Sequence, residues 1–196
     1  YTQGWTTYWW TNRFEYDARP QHTRFLQMIE SGVQPLEVLL DQSHKRGMEF
    51  MAGMRVNDNH GHISVQQGVG PGSSFLKDNP QWHLQKIQGS AVGRLSTHMD
   101  FTFAEVRNYF FEVALDIVEQ FDVDGLELCF RDHGYFPKGT EKDKLPLMTQ
   151  LVDRISKMLE KKGNDRTKKL ELSVRVHESL DECLHAERHA AHPQVE

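Results

Sequence analysis

The chain has 196 residues, of which 38% are hydrophobic and 26% are charged, and its formal net charge is −5. This composition is typical of a soluble globular protein with enough apolar residues for a core, so we expect a single domain over residues 1–196. The acidic balance argues against nucleic acid as a partner, because a protein that binds phosphates normally has a basic face. The sequence also lacks an apolar run long enough for a membrane span.

The segment 1–19 is rich in aromatic side chains, namely Trp5, Tyr8, Trp9, Trp10, Phe14 and Tyr16. Aromatic rings beside polar residues are common in sugar and peptide sites, because a ring face buries the apolar C–H surface of a sugar. The same pattern is also typical of a loop whose aromatic residues pack over the core. Both interpretations stay open.

Helical and β-type segments alternate along the rest of the chain. Apolar spacing predicts helices at about 22–31, 35–47, 102–121 and 145–162. A capping box at Thr102–Glu105 opens the third helix, and Gly163 is predicted to close the fourth. Strands are predicted at about 48–55, 124–130 and 170–176, with a long loop at about 61–98 that Trp82 anchors.

Each predicted strand ends in charged, amide or imidazole side chains. These are Arg55, Asn57, Asp58 and His60 at the first strand, Arg131 and His133 at the second, and Arg175 and Glu178 at the third. Helices alternating with strands are typical of a parallel sheet, and ligands of such sheets gather at the carboxyl ends of the strands. The three polar ends therefore predict one binding site.

Several of these segments resemble a known family. GVQPLEV at 32–38, HKRGME at 44–49 and MRVND at 54–58 are similar to the GxDPxxV, AxxxGMEx and RxND patterns of bacterial glycoside-hydrolase-like proteins with a (β/α)₈ barrel. FDVDGLEL at 121–128 is similar to that family's YDVDGIELDF, and the agreement continues through 172–176. The resemblance implies an α/β fold of the (β/α)₈ TIM-barrel type, a carbohydrate ligand, and a secreted or extracytoplasmic location in preference to others.

The length and one substitution qualify what the resemblance implies. A (β/α)₈ barrel needs about 250 residues, and three core strands are visible, so we expect a central part of a barrel that a missing segment or another protein chain completes. Open strand edges are expected for the same reason. Where the family pattern reads ELDF this chain has Cys129, and a thiol cannot replace a carboxylate as an acid or a base.

Glu127 and Asp58 are the candidate catalytic residues. The two-residue period of a strand places Glu127 on the barrel interior if Leu126 and Leu128 face the helices. Glycoside hydrolysis uses two carboxylates, one to donate a proton and one to act as nucleophile or base. The alternatives are a structural partnership of Glu127 with Arg55 or Arg175, and a turn role for Asp58.

The candidate substrate-binding residues are Arg55, Asn57, His60, Arg131, His133, Arg175 and Glu178, which would orient hydroxyls or an anionic sugar. Asp58, His60 and His62 have a spacing that could hold a metal on a strand, but the nearby glycine favours a loop and nothing completes a known ligand set, so no metal is expected. No P-loop or GxGxxG pattern indicates a cofactor. The two cysteines, Cys129 and Cys183, do not make a disulfide framework.

Two functions remain open. In the first, the protein is a glycoside hydrolase that acts on a polysaccharide or oligosaccharide by carboxylate acid/base catalysis. In the second, it is a non-catalytic barrel that serves as a carbohydrate-binding or structural subunit of a larger assembly. The polar strand ends favour the first function, and Cys129 favours the second.

Overall fold

A computed structural model describes residues 5–17, 23–58, 72–84, 98–130, 134–137 and 139–176. Its helices are α1 (Thr23–Glu30), α2 (Pro35–His44), α3 (Ser74–Lys77), α4 (Ala104–Gln120) and α5 (Glu141–Arg166), with a 3₁₀ turn at Pro80–Trp82. Its strands are β1 (Met51–Arg55), β2 (Gly125–Cys129) and β3 (Glu171–Arg175). Of the long loop predicted at 61–98, the structure describes 72–84, which contains α3 and the 3₁₀ turn, and residue 98.

The three strands form one parallel sheet in the order β1-β2-β3, which confirms the predicted α/β class and the predicted neighbours. Met51 to Arg55 pair in register with Gly125 to Cys129, and these pair with Glu171 to Arg175. Among the described residues β2 is the central strand, so β1 and β3 lie at the edges of the sheet.

The two faces of the sheet differ in polarity. Ala52, Met54, Leu126 and Leu128 point to one face and are buried in the core. The same core contains apolar residues of α4 and α5, among them Val106, Ile117, Ile155 and Leu159. Each buried leucine or isoleucine contributes about 1.5–3 kcal/mol. Alternation along the strands then forces residues such as Glu127 onto the opposite face, as the sequence predicts.

Two helix ends differ from prediction. The predicted capping box is wrong: α4 has Phe103 at its N-cap position with no side-chain cap, and Asp100 Oδ1 accepts the Thr102 N–H at 2.8 Å. Helix α5 continues past Gly163 to Arg166, where Thr167 takes a left-handed conformation. A Cβ at Gly163 would lie 2.5 Å from the Lys168 carbonyl oxygen, so this glycine allows a close approach of the chain instead of ending the helix.

The aromatic segment near the amino terminus largely packs into the core. Trp5 and Trp9 are buried, and Trp9 Nε1 donates to Asp116 Oδ2 of α4 at 2.7 Å. Trp10 is the exception, with 53% of its surface exposed. Trp82 packs against the core and its ring centroid lies 5.3 Å from that of Phe75, which confirms its predicted anchoring role. Among the helices described here, none is long and apolar enough to cross a membrane.

Candidate functional site

The polar face of the sheet consists of lateral rows of residues in register. One row is Gly53, Glu127 and Ser173. The next row toward the carboxyl ends is Arg55, Cys129 and Arg175. Neighbouring strands lie about 4.8 Å apart, so side chains of one row lie within reach of one another. The sheet therefore brings two guanidinium groups, a carboxylate and a thiol to one surface.

Glu127 lies in the middle of the central strand and is paired with Arg175. Arg175 Nη2 lies 3.0 Å from Glu127 Oε1 and 3.3 Å from Oε2. The Glu127 side chain is 27% exposed, and that of Arg175 is 65% exposed. An exposed ion pair contributes little to stability, about 0–1 kcal/mol. The partnership with Arg175 foreseen as an alternative is thus present, and it leaves Glu127 accessible to solvent.

Asp58 is placed differently from Glu127. Its side chain is 1% exposed, and its Oδ2 lies 3.3 Å from Arg55 Nη1. Arg55 itself is partly exposed on the polar face. The buried carboxylate thus helps to hold the guanidinium of Arg55 at the carboxyl end of β1.

Asn57 is buried and its carboxamide is bonded to the main chain. Its Oδ1 accepts the Met99 N–H at 2.9 Å, and its Nδ2 donates to the carbonyl oxygens of Met99 at 2.9 Å and Gly134 at 2.5 Å. Its φ of 61° is left-handed, which asparagine tolerates better than most residues. Asn57 therefore ties together the chain segments that follow β1 and β2. Its predicted contact with sugar has no support from these bonds.

Cys129 is buried and free, between Arg55 and Arg175 in its row. It lies on the polar face, where the family pattern has aspartate. A neutral thiol at this position leaves the row with two cations and no anion of its own.

At the opposite, amino-terminal end of the sheet, one carboxylate, Asp124, is bonded to several groups. The sequence did not suggest this network. Asp124 accepts the Phe50 N–H at 2.6 Å and lies 2.8 Å from both His44 Nε2 and Lys168 Nζ. Burial raises its pKa, but the hydrogen bonds from Lys168, Phe50 and His44 outweigh burial and lower the pKa to about 2. These bonds use the acceptor capacity of Asp124 within the fold.

Four predicted site residues, His60, Arg131, His133 and Glu178, lie outside the described residues, as does His62 of the metal alternative. Within the described parts of the chain, no three His, Cys, Asp or Glu side chains are grouped so as to hold a metal ion. The described residues form two pairs, Arg55 with Asp58 and Glu127 with Arg175. The predicted convergence of Arg55, Asp58, Glu127, Arg131 and Arg175 in one pocket stays a prediction.

Comparisons with known proteins bear on the family. No curated protein matches the chain significantly. Among solved structures, alpha-L-fucosidase isoenzyme 2 from Paenibacillus thiaminolyticus is similar with 10% identity and a TM-score of 0.43, over 79% of this chain and 25% of the fucosidase chain. The chain thus spans about a quarter of the length of that enzyme. The family model described as glycosyl hydrolase-like 10 matches residues 7–154. This match confirms the resemblance drawn from the motifs, and it covers well over half of the sequence, so the chain belongs to the glycosyl hydrolase-like 10 family.

Proposed function

We propose that this protein is a glycoside hydrolase in which Glu127 is the central catalytic carboxylate. The observation that carries the proposal is the position of Glu127 in the middle of the parallel sheet, on the polar face, with part of its side chain open to solvent. A carboxylate directed into a barrel is costly unless it is paired or used. Its one described partner, Arg175, is itself mostly exposed.

The proposal includes the fold. The three strands form part of a (β/α)₈ barrel within one domain, and the row of Gly53, Glu127 and Ser173 faces the barrel interior. Family membership supports this arrangement, as does the placement of the apolar core on the opposite face of the sheet. In such barrels the active site lies at the carboxyl ends of the strands.

Glu127 and Asp58 have different roles in this proposal. Glu127 is accessible and acts on the glycosidic bond as acid, base or nucleophile. Asp58 is too buried to reach a substrate in the described state, so it acts through Arg55, which it holds at the polar face. The second catalytic carboxylate that hydrolysis requires then comes from another strand end. We propose Glu178 for this role, although the sequence predicted it as a substrate-binding residue.

Arg55 and Arg175 are the proposed substrate-binding residues of the described part of the chain. Their guanidinium groups stand on either side of Cys129 and present N–H donors to the same surface. Sugar hydroxyl and carboxylate oxygens accept such bonds. His60, Arg131 and His133 are proposed to complete the contacts from the following loops.

The alternative is a barrel that binds carbohydrate without cleaving it. Its specific support is Cys129, because a thiol at the position of the family's aspartate removes one carboxylate from the row above Glu127. Such a protein would keep the polar surface and the arginines and would release no sugar.

The test is glycan release by wild type and by Glu127→Gln, with neutral, N-acetylated and anionic polysaccharides as substrates. The Gln variant removes the proton-transferring or nucleophilic group with little change in shape. We expect hydrolysis to fall by about 10²–10⁴-fold while glycan binding is retained. Glu171→Gln is the matched control. Glu171 lies on β3, on the same face of the sheet as Glu127, and it is an exposed glutamate paired with Lys169.

The outcomes separate the two functions. Equal turnover by wild type and Glu127→Gln would exclude Glu127 from the chemistry. Glycan binding without turnover by the wild type would support the non-catalytic barrel. Loss of activity in Glu171→Gln as large as that in Glu127→Gln would show a general charge effect instead of a specific role.

A further inference from the structure

Gly53 lies in the middle of β1, directly beside Glu127 in the sheet. Glycine weakens a strand, because it has no side chain to pack and loses more backbone freedom on folding than other residues. A glycine inside a strand therefore needs a reason, such as a left-handed backbone, a close contact with another chain segment or the close approach of a ligand.

Other glycines with described surroundings have a structural reason. Gly32, Gly47 and Gly139 have left-handed φ angles of 85°, 69° and 84°. A Cβ at Gly125 would lie 2.1 Å from the Glu171 carbonyl oxygen, and one at Gly163 would lie 2.5 Å from that of Lys168. The left-handed backbone disfavours a side chain at the first three positions, and packing leaves no room for one at the other two.

Gly53 has neither reason. Its φ is not left-handed, and among the described residues a Cβ built on it would meet only Glu127 Oε1, at 4.0 Å, an ordinary van der Waals distance. The fold of the described residues would therefore accept a small side chain there. A side chain at Gly53 would occupy the space beside the carboxylate of Glu127.

The neighbouring residues give that space its shape. Met51 and Arg55 project from the same face of β1 on either side of Gly53, and Glu127 flanks it on β2. The floor of this hollow is the backbone of Gly53, so a ligand can approach the sheet more closely here than over a larger residue. One wall carries the carboxylate oxygen that faces Gly53.

We propose that Gly53 is a specificity-determining residue, and that the hollow above it accommodates a sugar ring of the glycan whose hydroxyl donates a hydrogen bond to Glu127. This inference rests on the proposed function, because it places the substrate of that same site. The lack of a side chain at Gly53 sets how deeply the ring enters. A β-branched residue at this position would fill the hollow while leaving the Glu127–Arg175 pair in place.

The experiment compares Gly53→Ala and Gly53→Val with Ser173→Val in the full-length protein. Ser173 is the matched control, because it flanks Glu127 in the same row from the other side, on β3. Binding is followed through the ¹³C signal of the Glu127 carboxyl group during titration with neutral, N-acetylated or uronic-acid oligosaccharides, alongside glycan release. Thermal unfolding reports whether each variant is folded.

We expect Gly53→Val to weaken binding by roughly tenfold or more, the scale of one misplaced methyl group in a fitted site. Gly53→Ala should be intermediate and Ser173→Val should stay within about twofold of wild type, all without a fall in unfolding temperature, because valine and alanine suit a strand better than glycine. If Gly53→Val unfolds, the intermediate effect of Gly53→Ala decides the matter.

The two proposals fail in different ways. Binding by Gly53→Val as tight as wild type, with hydrolysis intact, would overturn the role of Gly53 and leave the hydrolase standing. The expected order of binding without any glycan release would support the hollow and overturn the hydrolase. No shift of the Glu127 signal with any sugar class would overturn both.

Discussion

The two ends of the sheet hold their carboxylates in opposite ways. At the amino end, Asp124 is bonded to a main-chain N–H, a histidine and a lysine within 2.8 Å. On the polar face toward the carboxyl end, Glu127 has one described partner, the largely exposed Arg175. Both residues belong to the tract 121–128 that resembles the family. The bonds of Asp124 all lie within the fold, and the described partner of Glu127 leaves its carboxylate partly exposed to solvent.

The difference teaches how to separate structural from functional polar residues in this protein. A side chain that accepts from several donors of the fold, one of them a main-chain N–H, stabilises the fold, and its removal leaves the main-chain donor without a partner. An accessible acceptor with an exposed partner contributes little to stability, so its presence needs another explanation. The hydrogen-bond partners of a polar residue therefore separate a structural role from a functional one. The distance of the residue from the carboxyl end of the sheet does not.

Asn57 gives the strongest test of this criterion. It lies at the carboxyl end of the sheet, but like Asp124 it is bonded to the main chain. Asn57→Ala should lower the free energy of unfolding by about 3 kcal/mol, since it leaves the buried Met99 N–H without its acceptor and puts alanine in a left-handed conformation. Urea unfolding measures the loss, with Ser173→Ala as an exposed control. A loss near zero would return Asn57 to the list of substrate-binding residues.

Asp124 and Glu127 form the direct comparison. Asp124→Ala should lower the free energy of unfolding by about 2 kcal/mol, because the Phe50 N–H loses its acceptor and Lys168 loses one of its two carboxylate partners. Glu127→Ala should change it by less than about 1 kcal/mol, as expected for an exposed ion pair. Denaturant titration of both variants gives the two values, and equal losses would break the distinction between the ends.

Acid should act on the amino-terminal end in particular. The pKa of Asp124 is lowered from 3.8 to about 2, so the ionised carboxylate stabilises the folded state fully above pH 3.8, and this stabilisation is lost as the pH falls through about 2. Allowing for solvent screening, the loss is about 1–2 kcal/mol. Unfolding free energies between pH 5 and 2 should fall less steeply in Asp124→Asn than in wild type, and parallel curves would contradict this.

Local sequence patterns were sufficient for the elements and the sheet. The period of two in DGLELCF places Leu126 and Leu128 in the core and Glu127 on the other face, and the structure agrees. The alternation of helices and strands predicts parallel neighbours, as found. Prediction failed where a residue has two possible roles. Gly163 was predicted to end a helix, but it allows the main chain at Lys168 to pack closely against the helix.

The candidate site could be predicted only in part. Arg55, Asp58, Glu127 and Arg175 were identified from their positions at the strand ends, because strand polarity brings these ends to one edge. The burial of Asp58 and Asn57 was not predictable. Asn57 is bonded to the main chain at Met99 and Gly134, which are far away in sequence. The position of Gly53 beside Glu127 was not predictable, because it depends on the register between β1 and β2.

By itself, then, the sequence determined which residues face the core and which face the opposite side of the sheet, because periodicity and strand direction are properties of the local chain. The tertiary structure alone decided which polar groups are satisfied inside the fold and which remain accessible. That decision depends on contacts between segments distant in sequence: Arg175 reaches Glu127 from the neighbouring strand β3, and Lys168 reaches Asp124 from beyond the end of α5. Register and packing set such distances, and no local pattern encodes them.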